Sequence, residues 1–245
     1  TVTEPANGLN LTATATDVTC FGETTGAVNL SVAGGTAPYS FAWSTSATTE
    51  DVSSLAAGTY QVTVTDNNAC TAELSQVVTQ PASALSLSAS ATDVACFGET
   101  SGSIDLTASG GTAPYSYLWS TGATTEDISG LAAGSYAVTV TDANACTAEL
   151  SQALTQPASA LSASTTATDV TCSGNATGSI DLTVSGGTSP YSSAWSNGGT
   201  TEDLSSLVAG TYVVTVSDAN GCQTQVSQTV TEPANGLNLT ATATD

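Results

Sequence analysis

The sequence predicts an all-β chain: a tandem array of small antiparallel β-sandwiches of about 76 residues each. Three observations predict it. Apolar residues alternate with polar ones at a period of two, no window carries an apolar stripe at 3.6 residues, and the whole pattern recurs at a fixed offset. Residues 1–17, TVTEPANGLNLTATATD, return letter for letter at 229–245. Between them Trp43, Trp119 and Trp195 keep step, as do Pro5, Pro81, Pro157 and Pro233. The frame gives residues 1–5 as the end of a preceding repeat, 6–81, 82–157 and 158–233 as three complete repeats, and 234–245 as the first strand of a further one. A chain that opens and closes inside its own pattern reads as a stretch of something longer. The joins are Gln-Pro-Ala-Ser or Glu-Pro-Ala-Asn, and the absence of any length change predicts a stiff junction, with proline fixing φ.

The first repeat justifies the elements in order. Leu9, Leu11, Ala13 and Ala15 alternate on a half-buried strand, and Val28, Leu30 and Val32 on a second. Gly34-Gly35 breaks the pattern. Tyr39, Phe41 and Trp43 alternate on a third strand entered through Pro38, and Val52 and Leu55 mark a short fourth. After Ala57-Gly58 come Tyr60, Val62 and Val64 on a fifth. Asp66-Asn67-Asn68 reads as a turn whose side chains tolerate positive φ. A last strand runs from Cys70 to about Val78. Six or seven short strands with regular turn signals are the pattern of a small sandwich.

Composition removes whole classes of function. The 245 residues hold 21 carboxylates and no lysine, arginine or histidine, a formal charge of −21. Without cations there is no footprint for nucleic acid or acidic lipid. Without histidine there is no Ser-His-Asp triad and no imidazole metal ligand. Without lysine there is no Schiff base, P-loop lysine or lysine–asparagine isopeptide staple. No run of about 20 apolar residues or basic leader segment appears, so neither membrane insertion nor a signal peptide is expected from these residues.

Leu55-Ala-Ala-Gly-Thr-Tyr60-Gln-Val-Thr-Val64-Thr-Asp66 resembles the tyrosine corner of immunoglobulin-like domains and the matching stretch of PKD-type domains. With Cys20, Gly34-Gly35-Thr-Ala-Pro-Tyr39, Trp43-Ser and Cys70, each unit is similar to the SprB-type repeat. That repeat occurs in giant cell-surface and gliding adhesins of Bacteroidota exported by the type IX system. The first unit departs from the pattern at Ser46, where the others carry Gly122 and Gly198. The resemblance implies an extracellular, adhesive filament and says nothing of what it grips.

A sandwich this small, with much alanine inside, needs a staple. Six cysteines allow 15 pairings. Two patterns treat every unit alike: Cys20–Cys70, Cys96–Cys146 and Cys172–Cys222 within units, or Cys70–Cys96 and Cys146–Cys172 between neighbours. The first is expected, because it uses all six, with buried free thiols as its rival. Zinc is disfavoured, since there is no C-x-x-C spacing and no histidine.

The acids also follow the period. If Cys20–Cys70 forms, Asp17 and Asp66 meet near one end of the sandwich beside Asn68, an oxygen set suited to calcium. The same trio recurs as Asp93, Asp142 and Asn144, and as Asp169, Asp218 and Asn220. Ordinary turn and strand-end chemistry is the stronger reading, so no cofactor is expected, with calcium as the one candidate. Glu50-Asp51 recur as Glu126-Asp127 and Glu202-Asp203, but sequence neighbours on a strand face opposite ways, which argues against paired-carboxylate catalysis. The Tyr39, Phe41, Trp43 face is expected in the core, with carbohydrate stacking as the rival. Tyr60 is expected to tie a loop through its hydroxyl. Asn10-Leu-Thr12, Asn29-Leu-Ser31 and Asn175-Ala-Thr177 match the glycosylation pattern by chance. Thr–Gln ester crosslinks remain chemically open, with no pair singled out.

The expected function is therefore non-enzymatic: a structural and adhesive segment of a long extracellular filament, serving adhesion, gliding or biofilm formation. Its expected partners are neighbouring repeats, a surface or glycan ligand, and homotypic filament contacts. The rival readings are a calcium- or carbohydrate-binding lectin-like module, and a filament subunit that polymerises by strand exchange through the duplicated 1–17 and 229–245.

Overall fold

The computed structural model describes residues 8–234 and residue 241. The 234–245 strand expected from the sequence therefore lies almost wholly outside the described residues, as do residues 1–5. Every described element is a strand. In the first repeat these are β1 (Asn10–Thr16), β2 (Gly26–Ala33), β3 (Ser40–Trp43), β4 (Val52–Leu55), β5 (Gly58–Thr65) and β6 (Thr71–Val78). The remaining strands repeat these spans, from β7 (Ser86–Thr92) to β12 (Thr147–Leu154) and from β13 (Ser162–Thr168) to β18 (Gln223–Val230).

Each repeat folds as two three-stranded antiparallel sheets. In the first the orders are β1-β2-β4 and β3-β5-β6. In the third they are β13-β14-β16 and β15-β17-β18. The alternation read from sequence explains why. Val28 and Leu30 on β2, Trp43 on β3, and Val62 and Val64 on β5 turn to one side of their sheets and close the core with Val18, Val52, Leu55 and Val78. The third repeat builds the same core around Trp195 from Val170, Ile180, Leu182, Val214, Val216 and Val230.

Aromatic hydroxyls tie the loops to this frame. Tyr60 donates to the Ala56 carbonyl at 2.8 Å and Tyr212 to that of Val208 at 3.0 Å, as expected of a tyrosine corner. Tyr39, Tyr115 and Tyr191 donate to the carbonyls of Gly34, Gly110 and Gly186. Trp43 is buried and donates its indole N–H to the Thr49 carbonyl, while Phe41 packs half-buried against the core. The ring face expected in the core is there.

Packing divides the chain into two compact units. The first holds Thr1–Ser90, Asp105–Glu126 and Tyr136–Ser151, and the second Ala91–Ile104, Asp127–Ser135 and Gln152–Asp245. Each unit contains one complete outer sandwich and part of the middle repeat.

Candidate functional site

The sulfurs carry the main correction to the sequence reading. Cys20 is bonded to Cys146, inside the first compact unit, and Cys96 to Cys222, inside the second. Cys70 and Cys172 are unpaired and exposed. The expected pairs Cys20–Cys70, Cys96–Cys146 and Cys172–Cys222 are absent, and so are the neighbour pairs Cys70–Cys96 and Cys146–Cys172. The first cysteine of one repeat takes the second cysteine of the next. Both bridges span 126 residues. The physical reason lies in β1. Cys20 follows its C-terminal end, whereas Cys70 sits in the turn that packs beside its N-terminal end. A seven-residue strand rises roughly 23 Å, far beyond the reach of a disulfide.

The same distance dissolves the calcium trio. Asp17 lies just past the end of β1, where its Oδ1 accepts the Thr79 amide at 2.7 Å. Asp66 lies at the other end, its Oδ2 beside Gly35 together with the Leu9 side chain. Asp169 and Asp218 are separated by β13 in the same way: Asp169 accepts the Thr231 amide, and Asp218 sits by Gly187 and Leu161. Asp93 holds the Thr155 amide and hydroxyl, each at 2.7 Å. Among the described residues no group of three or more acidic, cysteine or histidine side chains could hold a metal ion.

What Asp66, Asp142 and Asp218 do instead is order the turn that presents the second cysteine. All three are buried. Oδ1 of Asp142 accepts the Asn144 and Cys146 amides at 2.9 Å, and Oδ2 accepts the Thr112 amide at 2.8 Å. Asp66 and Asp218 repeat this with Asn68, Cys70 and Thr36, and with Asn220, Cys222 and Thr188. Positive φ in this turn falls on Ala69, Ala145 and Gly221 rather than on Asn67 or Asn68.

Asn144 and Asn220 then make the junction. Asn144 Nδ2 donates to the Thr19 carbonyl at 2.9 Å, beside Cys20, and to Thr112 Oγ1 at 3.1 Å. Asn220 Nδ2 donates to the Ala95 carbonyl, beside Cys96, at 2.9 Å, and to Thr188 Oγ1. Asn68 makes the inner bond to Thr36 Oγ1. An aspartate therefore sets the cysteine loop, an asparagine reads the neighbouring repeat's backbone, and a disulfide locks the pair. Sequence reasoning found all of these residues and gave them the wrong partner, because it drew them towards Asp17.

Hydrogen bonding lowers the pKa of each aspartate in both sets. For Asp66 the Cys70 amide is the largest cause; for Asp142 and Asp218 burial pushes up most strongly, and the accepted amides together outweigh it. Backbone donation from Thr79 and Thr231 lowers Asp17 and Asp169, and the Thr155 hydroxyl, then its amide, lowers Asp93.

Comparison with known proteins agrees with this frame. The family described as SprB repeat matches residues 12–48, 88–124 and 164–200. No curated protein matches the chain. Solved structures that match the chain include the immunoglobulin domains 1–5 of Sidekick-1, at 11% identity and a TM-score of 0.33, covering 93% of this chain and 60% of that one. The S-layer protein rSbsC(31-844) follows at 16% and 0.31, over 96% and 41%. A tetra-tandem repeat in the extending region of a large adhesion protein stands at 15% and 0.27, over 91% and 74%. The chain thus spans about 60% of the length of the first of these, and likenesses this remote carry no argument here. The three family matches fall at the same place in each repeat, over β1 to the turn after Trp43 and its equivalents: the chain matches the SprB repeat three times in tandem.

Proposed function

We propose that this chain is a structural and adhesive repeat segment of a long extracellular cell-surface filament. The observation that carries the reading is the cross-bridging of SprB repeats: a sulfur bond joins each described pair of successive repeats, with an asparagine clamp beside it. Disulfides of this kind belong to oxidising spaces outside the cytosol. A strongly acidic surface with no basic residue keeps neighbouring filaments apart. Among the described residues no helix is long and apolar enough to cross a membrane. The repeats act as a passive spacer, with reach set by the number of sandwiches and grip supplied by a surface or glycan ligand. Adhesion, and gliding or biofilm formation where the host cell glides, follow from that reach.

Immunogold labelling of intact host cells with antibodies against this chain tests the location. Label on unbroken cells, lost after shaving with a glutamate-specific protease, supports the proposal. Label appearing only after permeabilisation overturns it.

A further inference from the structure

Of the three turns that present a second cysteine, one is written differently. The first two read Asn68-Ala69-Cys70 and Asn144-Ala145-Cys146, and the third reads Asn220-Gly221-Cys222. The backbone does not require that glycine. Ala69 and Ala145 hold φ of 64° and 65° where Gly221 has 81°. What the glycine changes is the chemistry of the asparagine before it. With no Cβ to crowd the approach, the Gly221 amide nitrogen can close on the Asn220 side chain as a five-membered imide, the route by which asparagine loses its amide.

The folded junction opposes that closure. Asn220 Nδ2, the leaving group, donates to the Ala95 carbonyl at 2.9 Å and to Thr188 Oγ1 at 3.2 Å. The Gly221 amide, the nucleophile, donates to the Asp218 carbonyl at 3.1 Å. Cys222, next in the chain, is fastened to Cys96, the neighbour of Ala95. The same repeat carries its own comparison in Asn197-Gly198, exposed in the turn after Trp195. There the Gly198 amide is held in the same way, by the Trp195 carbonyl at 2.9 Å. The Asn197 side chain stays within its own turn, its Oδ1 accepting the Gly199 amide at 3.1 Å. The two Asn-Gly pairs therefore differ in the clamp on the leaving group.

We propose that Asn220 is a deamidation site guarded by the junction it clamps, reactive once the Cys96–Cys222 bond is broken, and that its conversion loosens that junction for good. The Gly221 amide nitrogen gives its proton to water and bonds to Asn220 Cγ. The Cγ–Nδ2 bond breaks, and ammonia leaves with a proton returned from water. A second water molecule opens the imide at either carbonyl, giving aspartate or its β-linked isomer. One water is consumed and one ammonia released, with no change of oxidation state. The product places a carboxylate against the Ala95 carbonyl where a donor stood, in a chain with no lysine, arginine or histidine to offset it. The Cys20–Cys146 junction is spared, because its clamp Asn144 precedes Ala145, whose Cβ hinders the closure.

The test is incubation of the intact chain in near-neutral buffer, with digestion after glutamate and mass spectrometry over time. Asn220 is the sole asparagine of segment 203–232 and Asn144 that of segment 127–149, so a gain in mass of either reports one site. In the oxidised chain Asn197 is expected to deamidate first, with Asn220 trailing about tenfold because its clamp bonds must open. With Cys96→Ser and Cys222→Ser together, Asn220 speeds up to the pace of Asn197, whose own unchanged rate reports that the third repeat is still folded. Gly221→Ala, a residue this turn already accepts twice, silences Asn220 with or without the bridge. Asn220→Asp, with every cysteine in place, speeds reduction of Cys96–Cys222 by dithiothreitol several-fold relative to Cys20–Cys146. The proposal is overturned by equal rates at Asn220 and Asn197 in the oxidised chain, by an Asn220 rate indifferent to the bridge, or by an Asn220→Asp chain whose two disulfides are reduced at the wild-type pace.

Discussion

Ser46 occupies a place that its two equivalents give to glycine. Its φ is 68°, against 85° for Gly122 and 87° for Gly198, in the turn that follows the core tryptophan. A left-handed conformation costs an L-residue about 1–2 kcal/mol, and glycine avoids that cost at some expense in unfolded-state entropy. Ser46→Gly is therefore expected to stabilise the first repeat by about 0.5–1 kcal/mol, and Gly122→Ser to destabilise the second by about 1 kcal/mol. Urea unfolding of each variant measures both, and a midpoint that falls for Ser46→Gly contradicts the turn assignment. The sequence already marked Ser46 as the odd member of its set, because the period aligned it with two glycines.

The capping aspartates give a second expectation at this scale. Asp17, Asp66 and their equivalents have folded-state pKa values below the ordinary carboxylate value near 3.8. A depressed pKa means that the unfolded chain binds protons first as pH falls. The stability these groups contribute is complete above the unfolded value and is lost as pH drops through the folded one. The freely exposed acids act oppositely: protonating them relieves self-repulsion in a chain of charge −21. Stability is expected to rise from pH 7 to between about 4 and 5 and to fall below that. Urea midpoints across pH check the curve. A midpoint still climbing at pH 2 would show that the caps contribute nothing, and Asp66→Asn, which leaves one amide without its carboxylate oxygen, is expected to lower the midpoint at pH 7.

At the scale of the strand, the period of two was enough to place five of the six strands of the first repeat, since alternation decides which side chains face the core; β4, buried only at Val52 and Leu55, does not alternate and was marked by those two residues alone. Positions without a side chain were less legible. Gly26 opens β2 and offers no side chain for the alternation to mark. In the structure a Cβ there would lie 2.6 Å from Val78 Cγ1 and 2.8 Å from the Leu55 carbonyl oxygen. Gly102 and Gly178 meet Leu154 and Leu131, and Val230 and Leu207, in the same way. These glycines allow β4 to close against the start of β2, and the carbonyl cannot move without breaking that pairing. Gly26→Ala is expected to cost about 1–3 kcal/mol by overpacking. Gly58→Ala, where the nearest atoms stand at 3.8 Å, serves as the mild control. Calorimetry comparing the two variants decides the matter: equal melting temperatures would mean that the space at Gly26 is not limiting.

At the scale of the whole chain, the period sorted the cysteines into two classes and could not say which members meet. Pairing depends on which end of each sandwich a class occupies, and that follows from the length and direction of β1, not from spacing. Once Cys20 and Cys70 lie at opposite ends, a bridge must reach into another repeat. The resulting loops, 20–146 and 96–222, overlap. Each would remove on the order of 5 kcal/mol of unfolded-chain entropy if it acted alone. The sequence itself supplies a clean assay, because every cysteine lies in a different segment between glutamates: 5–23, 51–73, 74–99, 127–149, 150–202 and 203–232. Digestion of the monomer after glutamate, without reductant, is expected to yield 5–23 linked to 127–149 and 74–99 linked to 203–232. A link from 5–23 to 51–73 would restore the pairing within units and remove the cross-bridging. The overlap also governs extension under load. The shortest covalent path from end to end passes through both sulfur bonds and back along residues 96–146, so only about 90 residues straighten before reduction. Adding reductant to a chain held in an optical trap is expected to lengthen its limit by about 500 Å at roughly 3.4 Å per residue. A limit indifferent to reductant would mean that the load never passes through the sulfurs.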